Sequence, residues 1–149
     1  ISELNNLVLN EMETEHYFTL LLAEVDLKTG HVVMSQAGHP HPVVQRQDGR
    51  IEQGGLGGFP VGLLAGIEYE QFTIQLSPGD RLFILSDGVT ECPDPDGKML
   101  EEEGLTEILH GLRDMTGPPL LEAILWQLTG DADFPDDVSG ILFEFAGPR

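Results

Sequence analysis

The chain has 149 residues, and 26 Asp and Glu against 7 Lys and Arg leave a net charge of −19. That balance rules against a nucleic-acid binder, because phosphate backbones need clustered Lys and Arg, and against an anionic membrane surface for the same reason. Hydrophobic residues at 40% and charged residues at 22% describe one folded globular domain over residues 1–149, not a disordered acidic tail.

Ser2 is a candidate cap for a first helix, in which Leu4, Leu7, Val8 and Met12 recur at helical spacing. Residues 17–26 form an apolar run with aromatic and β-branched members, which predicts a buried strand. A turn over 26–30 leads into a second strand over 31–37, making a hairpin. Residues 42–47 and 50–53 predict another hairpin around Asp48-Gly49, a pair suited to a tight primed turn. A glycine-rich loop at 54–58 follows. Residues 68–76 alternate, with Phe72, Ile74 and Leu76 on one face. After a turn at 77–80 comes an apolar strand over 81–86, whose end carries Asp87. Helices are expected over 101–112, with Leu105, Ile108, Leu109 and Leu112 as the apolar face, and from Pro118-Pro119 onward, with Leu121, Ile124, Leu125 and Leu128. A last strand spans 138–145. The expected core includes Leu20, Leu22, Phe83, Leu85, Ile141 and Phe143.

The single cysteine, Cys92, excludes an intrachain disulfide and an all-Cys metal centre. No apolar run approaches a transmembrane length, and no basic-then-apolar leader opens the chain. A soluble cytoplasmic setting is the expectation. Ile1 in place of Met predicts further sequence upstream. There is no phosphate-cradling loop, since the glycines at 54–58 lack a following Lys and Ser or Thr. There is no Gly-x-Ser-x-Gly nucleophile elbow. His39 and His41 share a face in an extended segment and could hold a metal. The competing reading is a rigid loop stiffened by Pro40 and Pro42. Asp87 and the pair Asp136-Asp137 stand at the ends of apolar strands, where side chains from separate segments can reach one site. Such carboxylates are hard oxygen donors suited to Mg²⁺ or Mn²⁺, although turns also favour Asp at these positions.

Taken in order, the segments FTLLLAEVDLKTGHVVMSQAGHPHPVV, GFPVGLL, LSPGDRLFILSDGVTE and DFPDDVSGILFEF resemble the SpoIIE-type branch of the metal-dependent Ser/Thr protein phosphatases, the type 2C or PPM class. The resemblance runs from Leu4 to Phe145. It implies an α+β fold: an α/β/β/α sandwich of two antiparallel sheets flanked by helices. It also implies that Asp87 and Asp136 are ligands of two different metal ions, Mn²⁺ or Mg²⁺, with Asp137 in a neighbouring position and not a direct ligand, and no catalytic role on His39. The implied reaction is attack by a two-metal-activated water on phosphoserine or phosphothreonine of a regulatory protein, such as an anti-sigma-factor antagonist in bacterial partner switching. The implied setting is signal transduction downstream of a receiver or sensor domain.

One part of the pattern is missing. The resemblance implies an Asp-Gly pair near the domain's start, whose Asp bridges both ions. Upstream of Leu20 stand only Glu3, Glu11, Glu13 and Glu15 as acidic residues, in or beside the first helix. An N-terminal strand pair is absent too. The chain is therefore expected to be the C-terminal part of an N-terminally truncated domain, with weak or absent metal binding and little or no turnover alone. Two further readings stand beside the enzyme: a non-catalytic adaptor with a degenerate phosphatase fold, and a purely structural acidic sandwich.

Overall fold

Two antiparallel sheets pack face to face, with helices outside both. The computed structural model describes residues 1–11, 16–93, 98–129, 134 and 136–148. The first sheet runs in the order β1 (Leu20–Val25), β2 (His31–Ala37), β5 (Gln71–Gln75). The second runs β4 (Ile51–Gln53), β3 (Val43–Gln45), β6 (Arg81–Leu85), β7 (Gly140–Glu144). Helix α1 (Ser2–Glu11) covers part of the outer face of the first sheet, where Val8 packs with Ala37, Val61 and Leu20. Helices α2 (Asp87–Thr90), α3 (Glu101–Gly111) and α4 (Gly117–Thr129) cover the outer face of the second. The layers are α/β/β/α, as expected.

Strand β6 shows why the sheets stack this way. Leu82 and Ile84 face the first sheet and join Val32, Met34, Val44, Ile74 and Leu76 in the core between the sheets. Phe83 and Leu85 face the helices and join Val89, Leu105, Leu109, Leu120, Ile124 and Leu128. A strand apolar on both faces must be covered on both, so it takes a central place. Phe83 is fully buried, and such a side chain contributes about 1.5–3 kcal/mol by leaving water. On β5 the expected alternation holds: Ile74 is buried and Phe72 half-buried, while Gln71, Thr73 and Gln75 are exposed.

Several expectations are corrected. Leu22 is 59% exposed and Ile141 is 61% exposed. Both lie on edge strands, β1 and β7, each with one hydrogen-bonded neighbour. Ile141 shares the inter-sheet face with Phe143, but the first sheet does not cover it there. Leu22 faces outward beyond the reach of α1. Leu20 and Phe143 are half-buried rather than fully enclosed. The first strand is consequently not the buried strand its apolar run predicts. On α4 the buried stripe is Leu120, Ile124 and Leu128, while Leu125 is exposed. The i, i+4, i+8 spacing of that stripe is the face turned to the sheet. The first bond of α1 runs from the Asn5 N–H to the Ile1 carbonyl at 2.9 Å, so Ile1 rather than Ser2 holds the cap position. Met12 lies outside the described residues.

A buried ion pair ties the far end of β6 to the neighbouring hairpin. Asp80 Oδ2 accepts from Ser77 N–H and from Arg46 Nη1, each at 2.9 Å, and Oδ1 accepts from Gln47 N–H at 2.9 Å. Arg46 also donates to Glu52 Oε2 from Nε and Nη2, at 2.9 and 2.6 Å. Burial pushes the Asp80 carboxyl up. The hydrogen bonds from Ser77, Arg46 and Gln47 outweigh it and hold the group below the ordinary carboxylate value.

Candidate functional site

The site is built where β6 stops. Ser86 is extended, at φ −70° and ψ 163°, and the chain then turns directly into the short helix α2. Asp87 opens that helix. Its carboxylate Oδ1 accepts from Gly88 N–H at 3.0 Å, its carbonyl accepts from Thr90 Oγ1 at 3.1 Å, and its side chain is solvent-exposed. Gly88 is required by packing: a Cβ there would stand 2.4 Å from the Asp137 carbonyl oxygen.

The segment carrying Asp136 is fastened to this turn. Ser86 N–H donates to the Ser139 carbonyl at 2.9 Å. Ser139 N–H donates to Ser86 Oγ at 2.9 Å, and Ser86 Oγ donates to the Asp137 carbonyl at 3.4 Å. Asp136 is exposed, and its Oδ1 accepts from Asp137 N–H at 2.7 Å. The structure thus brings the Asp87 and Asp136 segments together at one end of the second sheet. The residue that joins them, Ser86, carried no sequence signal of its own; its partners lie more than fifty residues away.

The histidine loop lies at the same end. Val43 pairs with Phe83 in antiparallel register, so residues ahead of Val43 run beside those after Phe83. His39 Nδ1 bonds to the Pro40 carbonyl at 2.9 Å, and His41 Nδ1 to the Gly54 carbonyl at 3.0 Å. Buried Gln36 binds both loops, donating to the His39 carbonyl and accepting from Gly57 N–H at 3.0 Å. A Cβ on Gly55 would meet Gln36 Oε1 at 2.4 Å and His41 Nδ1 at 2.7 Å, and its φ of +115° suits only glycine. The geometry therefore favours the rigid-loop reading of His39 and His41.

The donors at Asp87 and Asp136 are oxygens, the right chemistry for a hard divalent cation, but hard cations need six or so oxygen ligands. Among the described residues, no group of three or more His, Cys, Asp or Glu is placed to hold a metal ion. The residues present fit such an ion only in part.

A sandwich of this layering, with one aspartate where the central strand β6 ends and another just ahead of its neighbour β7, is the architecture of the type 2C phosphatase class. The family model described as "Stage II sporulation protein E (SpoIIE)" matches residues 1–146, and the chain belongs to that family. The chain is 26% identical over 111 residues to the phosphoserine phosphatase RsbU of Bacillus subtilis, a match covering 74% of this chain and 33% of RsbU. In fold it is similar to the RsbU and RsbW domains of a Mycobacterium tuberculosis protein, with a TM-score of 0.75, 23% identity, and coverage of 88% of this chain and 37% of that one. It is also similar to the phosphatase domain of SpoIIE from Bacillus subtilis, solved from Mn-presoaked material, with a TM-score of 0.70, 20% identity, and coverage of 88% and 57%. The chain spans about a third of the length of the curated relative it matches. Among the described residues, no helix is long and apolar enough to cross a membrane.

Proposed function

We propose that this chain is the C-terminal part of a signalling phosphatase domain that hydrolyses phosphoserine or phosphothreonine on a regulatory protein. An anti-sigma-factor antagonist in bacterial partner switching is the substrate class in view, and the cytoplasm the setting. The observation that carries the reading is the fastening of the Asp87 and Asp136 segments by Ser86, at one end of the central strand. It rests also on membership of the SpoIIE family. Asp87 and Asp136 would each hold one of two Mn²⁺ or Mg²⁺ ions. Such ions supply an activated water and neutralise charge on the phosphoryl oxygens. This chain's own contribution is to keep the two carboxylates on a rigid strand end, exposed to an incoming phosphoprotein.

A bridging Asp from an upstream Asp-Gly pair would complete the site, together with a further strand pair. The single-neighbour edges of β1 and β7, with Ala23 and Ile141 exposed on the inter-sheet side, support that reading. Alone, the chain is expected to bind metal weakly and turn over little. An upstream receiver or sensor domain would supply control. The test is phosphate release from a phosphoserine protein by a longer protein containing the upstream Asp-Gly pair. Turnover should require Mn²⁺ or Mg²⁺, and Asp87→Ala or Asp136→Ala should lower it by orders of magnitude. Turnover that survives loss of both aspartates would overturn the assignment.

A second reading is partner binding without turnover by the same fold. A longer protein that binds metal and phosphoprotein yet releases no phosphate would establish it.

A further inference from the structure

Beside Asp87 lies a groove of about 280 Å³ that the phosphatase reading leaves unused. Its floor is apolar: Val43 from β3, Leu105 from α3 and Met99, the last 56% exposed. One wall is the Pro40-His41 segment, held in place by the His41 bond to the Gly54 carbonyl. Thr90 also lines it, and its hydroxyl donates to the Asp87 carbonyl at 3.1 Å. The groove therefore starts within one helical turn of the candidate metal ligand. Its rim carries Glu91, Glu101 and Glu102, all exposed, and no Lys or Arg is among the described residues that line it.

Resting on the phosphatase reading, we propose that this groove selects the substrate. It takes an extended segment next to the phosphoserine that carries an apolar side chain and a Lys or Arg. The apolar side chain fills the space over Val43, Met99 and Leu105, removing from water the exposed part of Met99. The cation sits at the rim among the three carboxylates. Charge complementarity decides the occupant. The chain as a whole, at −19, repels an acidic segment. Three carboxylates around an apolar floor convert that general repulsion into a local preference for a cationic one. The groove is well suited to discrimination, because its Pro40-His41 wall is braced by a side-chain bond and Thr90 by the helix that opens with Asp87. Thr90 links the two sites directly, so a peptide seated in the groove would present its neighbouring phosphoserine at the end of β6.

The test reads binding, so it does not depend on turnover. Labelled phosphoserine peptides that contain a Leu-Lys pair next to the phosphoserine, or Leu-Glu or Ser-Lys in its place, are titrated against the full chain by fluorescence anisotropy. The Leu-Lys peptide should bind most tightly. Glu101→Gln with Glu102→Gln should weaken it by about two- to fivefold per carboxylate at low salt, and added NaCl should erase that difference. Both carboxylates are exposed, so an unchanged melting temperature is expected for the double variant. Met99→Asp should abolish the preference for Leu over Ser. Equal binding of Leu-Lys and Leu-Glu peptides, or binding indifferent to the Glu101 and Glu102 changes, would overturn the proposal. In the longer protein, the double variant should leave hydrolysis of p-nitrophenyl phosphate unchanged while lowering kcat/KM for the Leu-Lys peptide. Selective peptide binding with no metal-dependent hydrolysis would sink the phosphatase reading and leave the groove standing.

Discussion

Asp80 is the side chain on which the hairpin end of the second sheet depends. Its carboxylate is enclosed, with 3% of the side chain exposed, and it accepts two backbone N–H groups and the Arg46 guanidinium, each at 2.9 Å. Asp80→Ala removes both acceptor oxygens and all three hydrogen bonds at once. Arg46 keeps Glu52 as a partner, which limits the loss on that side. The Ser77 and Gln47 N–H groups lose a charged acceptor, at about 1–1.5 kcal/mol each, because both residues are exposed and water replaces part of the bond. A net destabilisation of about 3 kcal/mol is the expected result, similar to breaking a buried pair from one side. Urea titration followed by circular dichroism at neutral pH measures it. A thermal melt should show a drop of about 6–12 °C for a chain of this size.

The pH dependence is fixed by the direction of the Asp80 shift. A carboxyl depressed in the folded state stabilises the fold above its unfolded value, and that contribution is lost as pH falls through the folded value. The gap between wild type and Asp80→Asn should therefore be full at neutral pH and narrow in acid, below the ordinary carboxylate range. Glu52 is also depressed, by its hydrogen bond from Arg46, and acts in the same direction in both proteins. A loss under about 1 kcal/mol for Asp80→Ala, or a gap that stays constant into strong acid, would refute the argument.

Phe83→Ala should cost about 3–5 kcal/mol in urea titration, whereas Ile141→Ala and Leu22→Ala should each cost under about 1 kcal/mol because water already reaches them. Gly88→Ala should destabilise by about 1–3 kcal/mol despite alanine's helix preference, since its Cβ would meet the Asp137 carbonyl; an unchanged melt would show that the 137–139 segment yields freely. Asp87→Asn should shift stability by less than about 1 kcal/mol, because the side chain is exposed and its hydrogen bond is to the adjacent N–H; a larger loss would make its role structural. Ser86→Ala should cost about 1 kcal/mol and, in a longer protein with the complete metal site, weaken Mn²⁺ binding measured by calorimetry; unaltered affinity would show that the aspartates need no fastening.

How far the fold was legible depended on where each strand finds its neighbours. The alternation of Phe72, Ile74 and Leu76 settles which way β5 faces. The two-sided apolar character of β6 settles that it is central. Residues 20–25 look equally apolar, yet their strand is an edge, because burial there is decided by what lies across the sheet rather than by the strand itself. Helix α2 has no signature in the sequence, because four residues carry no periodic signal. At the candidate site, the sequence points to Asp87 and Asp136 through the order and spacing of the motifs. The polar side chains that organise the fold could not be found that way. Ser86, Gln36 and Asn5 look like ordinary polar residues until their partners are placed: buried Asn5 accepts from Gly62 N–H at 2.8 Å and donates to the Leu64 carbonyl at 2.9 Å.

The bond between Ser86 Oγ and Ser139 N–H closes a loop of 53 residues, and this orders events during synthesis. Asp87 leaves the ribosome with β6, long before the strand that carries its partner into place. Until Gly140–Glu144 emerges and pairs with Arg81–Leu85, the two aspartates belong to separate parts of an unfinished sheet. The nascent chain therefore carries no assembled pair of carboxylates. Helices α3 and α4 can form from local contacts in the meantime, so the candidate metal end assembles after them, and a chain ending before residue 140 would have the helices but not the site.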